Sequence, residues 1–201
     1  MVQEQNASSW RRELPVLKGR AVILREPANA DLGSLVDLLS VEDASRFGID
    51  GPVDDAAVRH FIERATHDRQ AGAALTYVVA ANNSSSRVIG LVQVRALDPA
   101  FETAEWEMTL TPSARGSGAF IETARLVASF VFMSLGTHRL EARVQVQNGR
   151  ANGALRKVGA VQEGILRRAV RRRGEYVDQV LWSLLKDDWS ERPEPTAPRV
   201  H

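Results

Sequence analysis

The run Thr111-Pro112-Ser113-Ala114-Arg115-Gly116-Ser117-Gly118 stands between a strand-like segment and a long apolar helix, and its residue types suit an anion. Glycines let a backbone approach a ligand closely and aim its amides. A helix start adds partial positive charge and Arg115 a full one, which together favour a phosphate or pyrophosphate. The same residues also make an ordinary tight βα turn with an exposed arginine, and Gly-x-Gly alone does not choose between the two. Just upstream, Glu105, Glu107 and Thr109 alternate with Trp106, Met108 and Leu110, so two carboxylates share one strand face.

The elements around this loop follow from periodicity. Ala104 to Leu110 reads as the strand before it. The helix after it runs from Ala119 to Leu135, with Ile121, Ala124, Val127, Val131 and Leu135 on one stripe. Phe120, Phe130, Phe132 and Met133 cover much of the rest, which predicts a helix wrapped by protein. Gly136 is a C-cap. Arg139 to Gln147 is the next strand, alternating Leu140, Ala142, Val144 and Val146 against Glu141, Arg143, Gln145 and Gln147. Two strands joined by one helix make a right-handed crossover and therefore a parallel pair. Ligands of such units sit at the carboxyl ends of the strands, where the loop meets the helix.

The flanking chain supplies the remaining elements. Met1 to about Val16 is polar and irregular and reads as a loose arm. Ala21 to Arg25 is a short strand ended by Pro27. Asn29-Ala30-Asp31 opens a helix, and a second helix spans about Asp54 to Ala71 with Gly72 as its stop. Ser45 to Gly51 between them is too irregular to place; ligand-closing loops and plain connections both look like this. Thr76 to Ala81 and Val88 to Val94 flank a polar turn and predict an antiparallel hairpin. Asn148 ends a turn before a helix from about Ala151 to Val158, and Gly159 stops it. Val161 to Val170 and Tyr176 to Leu184 form a second hairpin with a basic tip at Arg171-Arg172-Arg173. Ser190 to His201 is proline-rich and polar and reads as a disordered tail. The order β-α-α-β-β-β-α-β-α-β-β predicts a mixed α/β sheet with helices on both faces, in one domain from 17 to 189.

Composition narrows the function. The chain has 201 residues, 44% hydrophobic and 25% charged, an ordinary globular mixture with room for a sizeable core. A net charge of +1 argues against a dedicated nucleic-acid binder. With no cysteine there are no disulfides, thiolate metal sites or cysteine nucleophiles, which fits a cytoplasmic protein. No apolar run approaches the ~18 residues of a membrane span. His60, His67, His138 and His201 lack metal-ligand spacing, so no metal is expected.

The order of elements, with Arg115-Gly116-Ser117-Gly118 opening the central helix, resembles the Gcn5-related N-acetyltransferase (GNAT) superfamily and, within it, the RimJ/RimL-type branch. Leu24-Arg25 with Asp31, Ala104-Glu105-Trp106, Leu110-Thr111-Pro112 and Glu122 carry the resemblance. So do Asn148, Lys157-Val158-Gly159-Ala160, Glu163-Gly164, Asp178 and Asp188-Trp189. The resemblance implies a mostly antiparallel sheet whose central parallel pair splays to hold acyl-CoA. It implies acyl transfer, acetyl above all, to a primary amine on a protein N-terminus or a small molecule, by direct attack. The pyrophosphate would rest on the amides of Arg115, Gly116, Ser117, Gly118 and Ala119. N–H groups near Met108 to Leu110 would polarise the thioester carbonyl, and Asn148 would hold the pantetheine arm. Without the family, Asn148 is equally a turn asparagine.

The amine must lose a proton before attack, since its pKa is roughly 8 on an N-terminus and roughly 10.4 on a lysine. Glu105 matches the branch's glutamate and is the first candidate base; Glu107 is the reserve, and a merely solvated strand face is the alternative. Two departures bear on the leaving thiolate: Leu155 stands where many members have a tyrosine acid, and Ala151 where the branch often has serine. Those departures keep open a second reading, a weakly catalytic acyl-CoA-binding module. The arginines at 167, 168 and 171 to 173 form a solvated tip, or meet an acidic protein, ribosomal RNA or the CoA 3′-phosphate. Homodimers are implied by resemblance alone, and no membrane partner is expected.

Overall fold

Eight strands make one sheet in the computed structural model, which describes residues 9–41, 44–83, 87–172 and 174–190. In chain order they are β1 (Leu17–Lys18), β2 (Val22–Arg25), β3 (Ala74–Ala81), β4 (Val88–Ala96), β5 (Thr103–Leu110), β6 (Arg139–Gln145), β7 (Val161–Arg172) and β8 (Glu175–Leu185). Their spatial order is β1-β2-β3-β4-β5-β6-β8-β7. Every neighbouring pair is antiparallel except β5 and β6. The mixed, mostly antiparallel sheet with a central parallel pair is thus present.

Alternation along the strands divides the core between the two faces. Val78, Val88 and Leu91 meet α1 (Leu32–Ser40) and α2 (Asp55–Ala71) on one side, with Leu38, Phe47 and Phe61. Tyr77, Val79, Val92 and Val94 point the other way, into a larger cluster with α3 (Ala119–Phe130) and α4 (Gly149–Val158). Asp54 caps α2, its side chain accepting from Ala57 N, and Gly72 closes that helix. A short α5 (Lys186–Ser190) follows β8 and places Trp189 beside Phe132 at 6.0 Å. No helix among the described residues is long and apolar enough to cross a membrane.

Three expectations need correction. The arm foreseen as loose to Val16 is docked from Ser9 onward: Trp10 and Leu14 are buried, and Trp10 meets Phe101 edge-on at 5.5 Å. Tyr77 Oη donates to Pro15 O at 3.1 Å, and burial beside Glu26 pushes that phenol's pKa up. Residues 1–8 and 191–201 lie outside the described residues. The central helix ends in a π turn, Val131–Leu135, which leaves Met133 70% exposed instead of wrapped. Strand β6 stops at Gln145, where Asn148 N donates to Gln145 O at 2.9 Å.

Candidate active site

Strands β5 and β6 pair only at Thr103–Arg139, Ala104–Leu140 and Glu105–Glu141. Beyond those three pairs both strands continue, β5 to Leu110 and β6 to Gln145, each bonded only to its outer neighbour. The sheet therefore has an unpaired seam in its interior. Which backbone groups face the seam follows from the antiparallel alternation. Thr111 N donates to Ile89 O at 2.8 Å, so two-residue periodicity turns Thr109 and Glu107 toward β4 as well. The amides of Met108 and Leu110 then face the gap. Across it, Val146 N donates to Asp178 O at 3.1 Å on the β8 side, which leaves the Arg143 backbone turned inward.

A cavity of about 260 Å³ runs through this seam. Its wall includes Trp106, Met108, Ala142 and Val144 from one sheet face and Glu107 and Arg143 from the other, so it pierces the sheet. Through Met108, Phe120, Asn148 and Ala151 it joins a wider cleft of about 1000 Å³ at the start of α3. Arg115, Gly116 and Gly118 line that cleft, together with Arg150 and Lys157.

The loop makes a helix start with open donors. Gly118 precedes α3 at φ 89°, a left-handed conformation that a side chain resists. Ser117 Oγ donates to Ala114 O at 2.7 Å and accepts from Ala119 N at 3.3 Å. The next amides, of Phe120 and Ile121, have no intrahelical acceptor by helix geometry. Arg115 is tethered through Nε to Leu110 O at 3.1 Å, which ties the loop to the end of β5. Glu122 accepts from Ala21 N at 2.9 Å and also from Arg20 N, fixing the β1–β2 turn against the first turn of α3. Gly90 opposes Leu110 in β4; a Cβ there would stand 2.5 Å from Leu110 Cδ2 and 2.6 Å from Thr109 O.

The two carboxylates have different surroundings. Glu105 is 5% exposed, bonded to Arg95 at 2.7 Å and within 3.3 Å of Arg143, and is not part of the cavity wall. Glu107 is in that wall and accepts from Arg46 Nε at 2.8 Å. Burial pushes its carboxyl above the usual range; Arg46 opposes the shift, and the charge of Glu105 adds to it.

Most of the residues singled out by sequence gather here. Glu107, Met108, Leu110, Arg115, Gly116, Gly118 and Asn148 line one or both cavities, whereas buried Glu105 and Ala119 and exposed Ser117 line neither. Asn148 also caps α4, Oδ1 accepting from Ala151 N at 3.1 Å, so the turn-asparagine alternative holds at the same time. Leu155 and Ala151 are in the wall and supply no proton donor. Sequence reasoning named Arg172 only as part of a basic hairpin tip and left Arg46, in the 3-10 turn Ala44–Phe47, in an unplaced segment; both line the narrow cavity, where Arg172 NH1 donates to Ser45 Oγ at 3.2 Å. Among the described residues no His, Asp and Glu cluster could hold a metal ion.

A through-sheet gap beside a helix start with open amides is the arrangement that the resemblance to the GNAT superfamily implies, and comparison with known proteins bears on it. Residues 21–161 match the model of the acetyltransferase (GNAT) domain. The chain belongs to that family.

Among curated relatives, "Probable N-acetyltransferase YjcK" of Bacillus subtilis is 33% identical over 106 residues, 52% of this chain and 59% of that protein. "Uncharacterized N-acetyltransferase YnaD" of the same organism matches over 44% of this chain and 52% of its own length, at 23% identity. The chain thus spans little more than half of each. "Uncharacterized N-acetyltransferase YoaA", also of Bacillus subtilis, is 26% identical over 86% of this chain and 97% of its own. A solved GNAT-family acetyltransferase from Bacillus anthracis superposes with a TM-score of 0.73 at 17% identity, over 86% of this chain and 99% of its own. The RimL ribosomal-protein α-N-acetyltransferase, solved with coenzyme A, gives 0.76 at 18%, over 87% and 99%. At those identities the likeness is one of fold.

Proposed function

We propose that this chain moves an acetyl group from acetyl-CoA to a primary amine by direct attack, without a covalent enzyme intermediate. The observation that carries the reading is the unpaired seam between β5 and β6, open at one end to the start of α3. An extended arm with amides of its own can lie along such a seam as a further strand. Met108 and Leu110 N–H would bond the thioester oxygen, a small oxyanion site strongest when charge develops there. The amides of the 115–119 loop and α3 would take the pyrophosphate, with Arg115, Arg150 and Lys157 supplying charge.

Glu107 is the group proposed to take the amine's proton, directly or through one water. Its supports are its position in the cavity wall and its raised pKa, which keeps its basicity closer to that of an amine. Glu105, held by Arg95 and Arg143, acts behind it, its charge helping to raise Glu107. The freed amine attacks the carbonyl carbon, the C–S bond breaks, CoA leaves as the thiolate, and the nitrogen of the new amide releases its second proton to solvent. A thiolate with a pKa of roughly 8.5 can depart unprotonated and take its proton from solvent.

The acceptor class proposed is a protein N-terminus or a small amine, the activity of the RimJ/RimL-type branch. A second reading, an acyl-CoA-binding module with weak transfer, is favoured by one observation: Leu155 and Ala151 bring no acid to the wall. Calorimetric titration with acetyl-CoA, followed by thiol release across an amine panel, separates the two. Binding lost in an Arg115→Ala, Gly118→Trp double variant, with thiol release well above hydrolysis, supports the enzyme. Binding without acceleration by any amine supports the module. No binding overturns both.

A further inference from the structure

Arg46 reaches the cavities from a turn that is not part of the sheet. Its Nε, at 2.8 Å, and its NH2 both donate to Oε2 of Glu107. The other oxygen, Oε1, accepts no hydrogen bond among the described residues. A carboxylate gripped through one oxygen keeps the second for a proton from a ligand. The position of Arg46 is set by the turn Ala44–Phe47 and by α2 beneath it. Ala44, Phe47 and Ile49 are buried with Leu38 and Phe61, so the apolar side chains of the turn sink toward α1 and α2. Arg46, set among them, lines both cavities.

Apolar burial is non-directional, so it fixes the depth of the turn better than its orientation. The directional hold comes from Arg64 on α2. Its NH1 donates to Gly48 O at 2.7 Å and its NH2 to Phe47 O at 2.5 Å. Its Cζ lies 5.8 Å from the ring centroid of Phe61, three residues earlier on the same helix, which steadies the guanidinium. Gly48 has φ 69°, and a Cβ there would stand 2.9 Å from Arg64 NH2, so the close approach needs a glycine. Bonds from a charged donor are about twice as strong as neutral ones, and a planar fork fixes orientation as well as distance. Arg64 itself lines neither cavity.

We infer that Arg64 is a positioning residue for the proton transfer: by clamping the Phe47 and Gly48 carbonyls it holds Arg46 on Oε2 of Glu107 and leaves Oε1 to meet the amine. The inference rests on the acyl-transfer reading with Glu107 as base. Five charged groups stand around that carboxylate: Arg46 from the turn, Glu105 on β5, Arg95 on β4, and Arg143 and Arg172, which line the same cavity from β6 and β7. Among the described residues Arg46 alone bonds it, and Arg46 opposes the rise that burial causes. A loosened turn gives up that opposition, so the pKa of Glu107 climbs further.

The test follows the Glu107 carboxyl carbon by NMR through a pH titration in wild type, Arg64→Gln and Arg64→Lys. Beside it, kcat is measured with the amine that the thiol-release panel selects. In Arg64→Gln the titration midpoint and the acid limb of kcat/KM both move to higher pH. At neutral pH kcat falls by about 10- to 100-fold, the scale of a misplaced catalytic group, while acetyl-CoA affinity by calorimetry is unchanged. Arg64→Lys keeps a charged donor without the fork and lies between the two. The double variant Arg46→Gln, Arg64→Gln is no slower than Arg46→Gln alone, because both act through one contact. An unmoved midpoint in Arg64→Gln, or losses that multiply in the double variant, would overturn the inference. If Arg64→Gln does not fold, Arg64→Lys carries the test, and an unmoved midpoint there overturns it equally. Failure of the acyl-transfer reading looks different: wild type binds no acetyl-CoA, or Glu107→Gln keeps the wild-type rate. In that event the NMR midpoints still decide whether Arg64 holds Arg46 on Glu107.

Discussion

Arg46 and Glu107 lie 61 positions apart in the chain, yet the Arg46 Nε donates to the Glu107 carboxylate at 2.8 Å inside the cavity wall. Burial raises the pKa of Glu107 and Arg46 restrains it, so if Glu107 is the base, as proposed, the pair sets the pH at which it is ionised. The base must be ionised to act, so kcat/KM falls as pH drops through that raised value. Arg46→Gln removes the restraint and moves the acid limb of the profile to higher pH. Glu107→Gln abolishes the limb and lowers kcat/KM by about 100-fold or more at neutral pH. An unmoved acid limb in Arg46→Gln would assign the proton transfer elsewhere.

Asn148 has two separable duties. Asn148→Ala removes the cap on Ala151 N and costs about 1 kcal/mol in urea unfolding. Asn148→Ser keeps a capping oxygen and most of that stability. If Asn148 also holds the pantetheine arm, calorimetry shows acetyl-CoA affinity falling in both variants. Affinity retained in the serine variant leaves Asn148 as a cap alone.

Gly90 touches the site from the strand behind it. Gly90→Ala puts a methyl against Leu110 Cδ2 and Thr109 O, and backbone on that side cannot yield cheaply. Overpacking of this kind costs about 1–3 kcal/mol. Because the displaced segment carries the Leu110 amide, kcat should fall more than KM rises. A variant with wild-type kcat would detach the β5 terminus from the oxyanion role.

Glu163 offers a stability test away from the chemistry. Arg139 first, then Ser183, hold its carboxyl down to about 2 from an ordinary 4.5. Between those values the unfolded chain binds the extra proton, so stability rises with pH across that window. The contribution is complete above 4.5 and lost as pH falls through about 2. The pair is near the surface, so screening keeps the gain at or below about 1 kcal/mol. Glu163→Gln is therefore less stable than wild type at neutral pH, and urea midpoints of the two converge toward about pH 2.

The elements were legible where their cause is local. Asp54 and Gly72 bracket α2 because a side-chain cap and a left-handed stop act within one turn. The alternation of Glu105 and Glu107 against Trp106 and Met108 puts the two carboxylates on one face of β5. It does not say which carboxylate meets the cavity, because that depends on Arg95, Arg143 and Arg46 from other elements. Met133 was misjudged because the wider π turn rotates the apolar stripe out of the phase that a regular helix keeps. Trp10 was missed because one aromatic in a polar run has no period to reveal its partner, Phe101. The hairpin arginines could be counted in advance, but only β7's register brings Arg172 to Ser45.

The seam also has a mechanical consequence. Strands β1 to β5 and β6 to β8 are two half-sheets stitched by three residue pairs, with Thr103 to Glu105 as the stitching. Any ligand that fills the opening bonds both halves at once and works as a removable splint. Its occupancy adds RT ln(1 + [L]/Kd) to the folding stability of the whole molecule. Amide hydrogens along Met108, Leu110 and Arg143 would then exchange on a clock set by the splint's concentration. The folding stability of the molecule would thus rise and fall with the supply of such a ligand.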